Sequence, residues 1–113
     1  MAINGVNRVI DVNKAIVTAV KTGKVILGSK RTIDAVRTGK AKLVILASNC
    51  PPTVRGDIEY YARLSKIPVY IYQGNSIDLG ETCGKVFTVA AMAIREPGDS
   101  EILKLVEESD VQD

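Results

Sequence analysis

Apolar side chains recur along this chain in two alternating rhythms. Between residues 10 and 22, Ile10, Val12, Ala15, Ile16, Ala19 and Val20 share one face of a 3.6-residue period, which predicts an amphipathic helix with Asp11 placed to cap it. Gly23 fits the left-handed position that stops a helix, and Val25-Ile26-Leu27 reads as a short buried strand. Ser29 is placed to cap a second helix ending at Gly39, and Leu43 to Ala47 form a second strand. Pro51 and Pro52 open a third helix running to Ser65, with Val54, Ile58, Tyr61 and Ala62 on its inner face. Pro68 to Tyr72 is a third strand, Asn75 to Cys83 a short helix, and Phe87 to Ile94 a long fourth strand. A turn at Pro97-Gly98-Asp99-Ser100 leads to a last helix anchored by Ile102, Leu103 and Val106.

The order contains an echo. Ala19-Val20-Lys21-Thr22-Gly23-Lys24 followed by Val25-Ile26-Leu27 returns as Ala35-Val36-Arg37-Thr38-Gly39-Lys40 followed by Leu43-Val44-Ile45-Leu46. Each copy is a helix, a glycine stop and a strand. Two copies are too few for a solenoid, but they repeat one αβ unit and predict an α/β fold, a layered α/β/α sandwich. With 113 residues and no linker or low-complexity stretch, residues 1–113 are expected to form a single domain. The longest apolar run, Val89 to Ile94, is far short of the roughly 18 residues of a spanning helix, and no basic-then-apolar leader opens the chain. A cytoplasmic protein with no membrane partner is expected.

Histidine is absent, and the two cysteines, Cys50 and Cys83, are 33 positions apart. That excludes Cys/His zinc fingers and all catalysis that depends on histidine. Neither a metal nor another cofactor is expected, and catalytic residues are expected to be none. Asp57 and Glu59 are two apart on a helix and face different ways, so they do not form an acid/base pair. Gly23 and Gly28 have the spacing of a nucleotide phosphate loop. The residues after Gly28 are Ser29-Lys30, in the wrong order, and the four between the glycines are strand, so no small-molecule nucleotide substrate is implied.

Charge changes the picture through its distribution. Residues 1–42 carry nine Lys/Arg against Asp11 and Asp34, whereas residues 96–113 carry seven acids against Lys104 alone. A basic first third points to a polyanionic partner; an ordinary solvated surface with an acidic tail is the alternative. The strand-to-helix turn Gly28-Ser29-Lys30-Arg31 puts two cations in the first turn of a helix, against the helix dipole and beside free N–H groups. Asn49, in the turn Ser48-Asn49-Cys50-Pro51-Pro52, carries both a donor and an acceptor suited to a base edge, or else serves its own turn. Cys50 reads as a small buried filler. Phe87, the only phenylalanine, follows Gly84-Lys85-Val86, and is either a core residue or a platform for an unstacked nucleotide. Tyr60 and Tyr61 read as packing residues.

These segments resemble a known family, the archaeal and eukaryotic large-subunit ribosomal proteins called L-thirty-e. The resemblance is carried by Lys42-Leu43-Val44-Ile45-Leu46-Ala47-Ser48-Asn49, by Asp57-Ile58-Glu59-Tyr60-Tyr61-Ala62-Arg63-Leu64-Ser65, and by Val69-Tyr70, Gln73-Gly74, Leu79-Gly80, Gly84-Lys85 and Pro97-Gly98-Asp99-Ser100. With Gly28-Ser29-Lys30 it spans nearly all the chain past residue 10. It implies a three-layer α/β/α sandwich with a four-stranded mixed sheet, and binding to a kink-turn, a sharply bent RNA with an internal loop, in large-subunit ribosomal RNA. The family's RNA contacts carry over to Gly28, Ser29, Lys30 and Arg31 in a first loop, Asn49 with Arg55 nearby in a second, and Lys85, Val86 and Phe87 in a third. For the third loop to join the others, the last strand must run opposite to its neighbours. Wider kink-turn relatives carry an Asn-Glu pair where this chain has Lys30-Arg31, which favours phosphate contact at those two positions.

The reading is a non-catalytic ribosomal protein whose partners are kink-turn ribosomal RNA and neighbouring large-subunit proteins. A non-ribosomal kink-turn particle component, or a protein-binding adapter on the same fold, is the alternative; an adapter would more naturally expose an apolar patch than a Lys-Arg turn.

Overall fold

The computed structural model describes residues 11–105. Four strands form one sheet in the order β1-β4-β2-β3, where β1 is Lys24–Leu27, β2 Leu43–Leu46, β3 Val69–Ile71 and β4 Ala91–Glu96. β2 and β3 are parallel, and β4 lies antiparallel between β1 and β2, so the sheet is mixed and the last strand runs opposite to its neighbours. Ile45 pairs with Met92 and Val44 with Ala93. Successive side chains of β2 therefore leave the sheet on opposite faces.

Each face has its own core. Leu43, Ile45, Met92 and Ile94 pack with Ile16 of α1 (Val12–Thr22), Leu79 of α4 (Ser76–Thr82) and Ile102. On the other face Val44, Leu46, Ala91 and Ala93 pack with Val36 of α2 (Ser29–Arg37) and with Ile58 and Ala62 of α3 (Pro52–Ser65). Because β2 is covered on both faces, all four of its residues are buried, and its sequence is an unbroken apolar run. This is the three-layer α/β/α sandwich.

Several local expectations change. Asp11 does cap α1, accepting the Lys14 N–H at 3.1 Å, and Ile10 of the predicted helix lies outside the described residues. Gly23 is not left-handed: its φ is −110°, and a Cβ there would come within 2.1 Å of the Glu96 carbonyl oxygen. Close passage of β4, not a turn, calls for glycine there, whereas Gly39 in the second copy of the echo does have positive φ. Ser29 is not the cap of α2. Gly28 holds that position with φ 107°, a conformation costly for any side chain, and Ser29 starts the helix without a side-chain cap bond. The fourth strand is shorter than predicted, beginning at Ala91 and not at Phe87, because the Val89 N–H is taken by the Ser76 carbonyl at 3.0 Å and not by a strand neighbour. Tyr60 is 56% exposed and only Tyr61 packs inward, the two rings meeting edge-on at 5.2 Å. Of the last helix, Ile102 is buried as expected, while Val106 and the acidic tail lie outside the described residues.

Candidate functional site

Three loops meet where β1 and β2 end and β4 begins. The Gly28 N–H donates to the Ala91 carbonyl and the Ala47 N–H to the Ala90 carbonyl, both at 2.9 Å. One short stretch of chain at the start of β4 thus holds the first loop on one side and the second on the other. The antiparallel direction of β4 brings the third loop, residues 84–90, to this same end.

In the first loop, Lys30 and Arg31 are exposed in the first turn of α2, which contains no acidic residue. The first intrahelical bond is Thr32 N–H to Gly28 C=O at 2.9 Å, so the amides of Ser29, Lys30 and Arg31 precede it and are available to an anion. In the second loop the Asn49 side chain is exposed but engaged. Its Oδ1 accepts the Ser76 N–H at 2.8 Å and its amide nitrogen donates to Ser76 Oγ at 3.4 Å. Asn49 thereby ties the β2–α3 turn to the start of α4, whose own first turn is closed by the reciprocal Asn75 and Asp78 bonds. Both amide groups keep capacity for a second partner. Arg55 lies one turn into α3 with its guanidinium on Glu59 at 3.1 Å, so it is the least available cation here.

The third loop carries the exposed apolar pair. Val86 is fully exposed and Phe87 is 56% exposed. A ring left half in water beside cations is unusual for a chain's only phenylalanine, since such side chains dominate cores. Phe87 and Lys85 line an open groove of about 490 Å³ together with Arg31, Leu27 and Lys24, so the first and third loops share one concavity. Gly80 makes the loop's position possible: a Cβ there would sit 2.2 Å from the Phe87 carbonyl oxygen. The sequence reading missed Ser76 and Gly80. A glycine inside a seven-residue helix was the available signal, because glycine is unfavourable there unless another backbone passes close by.

Cys50 and Cys83 are both buried and unbridged, and burial raises both thiol pKa values, that of Cys83 to about 11. Arg55 and Lys85 pull the other way and do not overcome it. Among the described residues no cluster of His, Cys, Asp or Glu could hold a metal ion, and no helix is long and apolar enough to cross a membrane. A larger hollow of about 580 Å³ lies beside α1 and α4 and includes Asp11, Asp78 and Glu81, the wrong sign for a phosphate ligand.

Comparison with known proteins places this geometry. The model of the ribosomal protein L7Ae/L30e/S12e/Gadd45 family matches residues 10–104. The chain belongs to that family. Within the L7Ae/L30e group it is similar to large ribosomal subunit protein eL30 of Methanothermobacter thermautotrophicus, with 57% identity over 96 residues, 85% of this chain and 98% of the relative. It is 56% identical over 100 residues to eL30 of Methanocaldococcus jannaschii, covering 88% and 91% of the two chains. The L-thirty-e resemblance is thus borne out. A Bacillus halodurans protein of unknown function shares the L7Ae/L30e-type fold at a TM-score of 0.72, with 18% identity over 91% of this chain and 98% of that one.

Proposed function

We propose that this chain is a non-catalytic component of the large ribosomal subunit, in the cytoplasm, whose residues 1–113 act as one RNA-binding domain for a kink-turn in ribosomal RNA. The observation that supports this reading is the gathering of Arg31, Lys85 and a half-exposed Phe87 around one groove, with Lys30 exposed beside Arg31 in the first turn of α2. Lys30, Arg31 and Lys85 neutralise phosphates, with the Ser29 to Arg31 amides presenting N–H groups to the same backbone. Gly28 keeps the approach to those amides free of a side chain. Phe87, with Val86 beside it, packs on an extruded nucleotide, and Asn49 uses its remaining amide capacity on a base or sugar edge. Arg55 contributes by leaving Glu59 for the RNA. Neighbouring large-subunit proteins are the further partners; no small-molecule substrate is part of this function.

The test is a salt titration of binding to a kink-turn RNA beside a straight duplex of equal length. Tight binding to the kinked RNA alone, with a slope implying about three or more phosphates, supports the reading. Equal, weak binding to both RNAs would overturn it and leave a generic basic surface.

A further inference from the structure

The most cationic part of the described fold is not the loop end but the end opposite, where β1 and β2 begin and β4 finishes. Lys21, Arg37 and Arg63 stand in the last turns of α1, α2 and α3, where the helix dipole already accounts for a cation. Lys40, Lys42 and Arg95 have no such explanation. They lie beyond the helices, on the α2–β2 connection and the last residues of β4, and line one hollow of about 290 Å³ together with Gly39 and Ala41. The Lys42 N–H donates to the Ile94 carbonyl at 2.7 Å, which fixes the two strands side by side at this point. The hollow contains one carboxylate, Glu96, held by Lys42 at 3.1 Å. Lys24 is the register partner of Glu96 across β1 and β4 but forms no ion pair with it. Among the described residues, Lys40 and Arg95 make no ion pair. Two other acids stand at this end: Asp34, ion-paired with Arg37 at 2.9 Å and lining a neighbouring hollow with Lys40, and Asp99, on the α1 flank with its N–H donating to Thr22 Oγ1.

We propose that this far end is a second RNA-backbone contact, through which the protein holds a second RNA segment while its loop end holds the first. The chemistry favours a nucleic-acid backbone over a protein. The hollow itself is lined by cations, one carboxylate and small residues. Of the exposed large apolar side chains of the described residues, Leu64 in the last turn of α3 is at this end but does not line the hollow, and Ile71, Ile77, Val86 and Phe87 lie towards the loop end. An open, shallow cationic hollow suits the phosphates of an A-form duplex, which is recognised by shape and backbone and not by sequence. With Lys40, Lys42 and Arg95 each neutralising one phosphate, affinity falls about forty-fold between about 50 and about 200 mM salt.

The experiment uses the full chain with its loop end first saturated by unlabelled kink-turn RNA. A fluorescent plain duplex of about 16 base pairs is then titrated in, and anisotropy reports whether a three-component complex forms. The expected result is salt-sensitive binding of the duplex to the preformed complex. The double variant Lys40→Glu/Arg95→Glu loses that binding at least ten-fold while its kink-turn affinity stays within two-fold. Lys40→Gln/Arg95→Gln serves if the charge reversal lowers the melting temperature, and Lys40→Arg is expected to retain binding. No second complex with the wild-type protein, or one that the double variant forms equally well, overturns the proposal. So does binding of a polyglutamate peptide as tight as that of the duplex, which would assign the surface to an acidic protein. Duplex binding is also measured on Lys30→Glu/Lys85→Glu protein without kink-turn RNA. Retention there with loss of kink-turn binding separates the two surfaces, and failure of the kinked RNA to bind the wild type condemns the loop-end reading alone.

Discussion

Replacing Phe87 with alanine separates two consequences that are usually entangled. The ring is 56% exposed, so less than half of it is covered by the protein. Truncating a fully buried phenylalanine costs about 3–5 kcal/mol, and scaling by the covered fraction gives about 1.5–2 kcal/mol here. At about 2.1 cal/mol/K per residue, the unfolding entropy of 113 residues is about 240 cal/mol/K, so the melting temperature falls by about 6–8 °C. That leaves a folded protein. Stacking of one base on an aromatic ring is worth about 1–3 kcal/mol, so affinity for kink-turn RNA falls about 5- to 150-fold. Thermal melts followed by circular dichroism and anisotropy titrations with labelled RNA read the two effects independently. Phe87→Leu restores most of the melting temperature but not the stacking. If Phe87→Ala lowers the melting temperature by the expected amount and leaves RNA affinity untouched, the ring is only a packing residue. Loss of any cooperative transition would instead refute the half-exposed placement from which the magnitude was worked.

Further outcomes follow from the same geometry. Lys30→Ala and Lys85→Ala each reduce the slope of log affinity against log salt by about 0.9, with the melting temperature unchanged within about 2 °C; an unaltered slope removes that lysine from the phosphate contacts. Asn49→Ala frees the exposed Ser76 N–H to water, at a cost of about 0.5–1.5 kcal/mol, and lowers the melting temperature by about 2–6 °C, which separates it from Lys30→Ala; a null effect means the Ser76 bond is idle. Gly80→Ala drives a methyl into the Phe87 carbonyl and costs about 1–3 kcal/mol, with RNA affinity falling as the third loop shifts; unchanged melting and binding would contradict the close approach. The Cys83 thiol holds its proton more tightly when folded, its pKa raised from 9.0 to about 11 by burial, so its contribution is complete below pH 9 and is lost as pH rises towards 11. Urea midpoints at pH 8 and 10.5 are expected to fall less in Cys83→Ala than in the wild type, and equal falls would refute this.

Much of the fold was legible because local patterns agree with the tertiary outcome. The 3.6-residue period of α1, the proline start of α3 and the apolar run of β2 each have one good solution. Misreadings arose where the deciding partner is distant in sequence. Gly23 looks like a helix stop until β4 passes over it, and residues 87–90 look like strand until α4 takes the Val89 N–H. The site shows the same division. Lys30 and Arg31 stand out in sequence because they oppose a helix dipole, and Phe87 because it is alone. That Asn49 is anchored on Ser76, 27 positions away, has no local signature. Neither has the convergence of Lys40 and Arg95, which needs the antiparallel course of β4 to bring residues 55 positions apart to one hollow.

The position of β4 bears on when this protein becomes competent during its own synthesis. β1 has no neighbour in the sheet other than β4, and β2 can pair only with β3 until Ala91–Glu96 has been made. Pairings between such distant segments form slowly, since the intervening chain must give up its freedom before contacts compensate. A nascent chain arrested before Ala91 has α3, β3 and α4 in hand, yet lacks the strand β4 that ties the first loop to the second through Gly28 and Ala47. The loop end therefore assembles in a single late step, and chains still in production do not compete with finished ones for RNA.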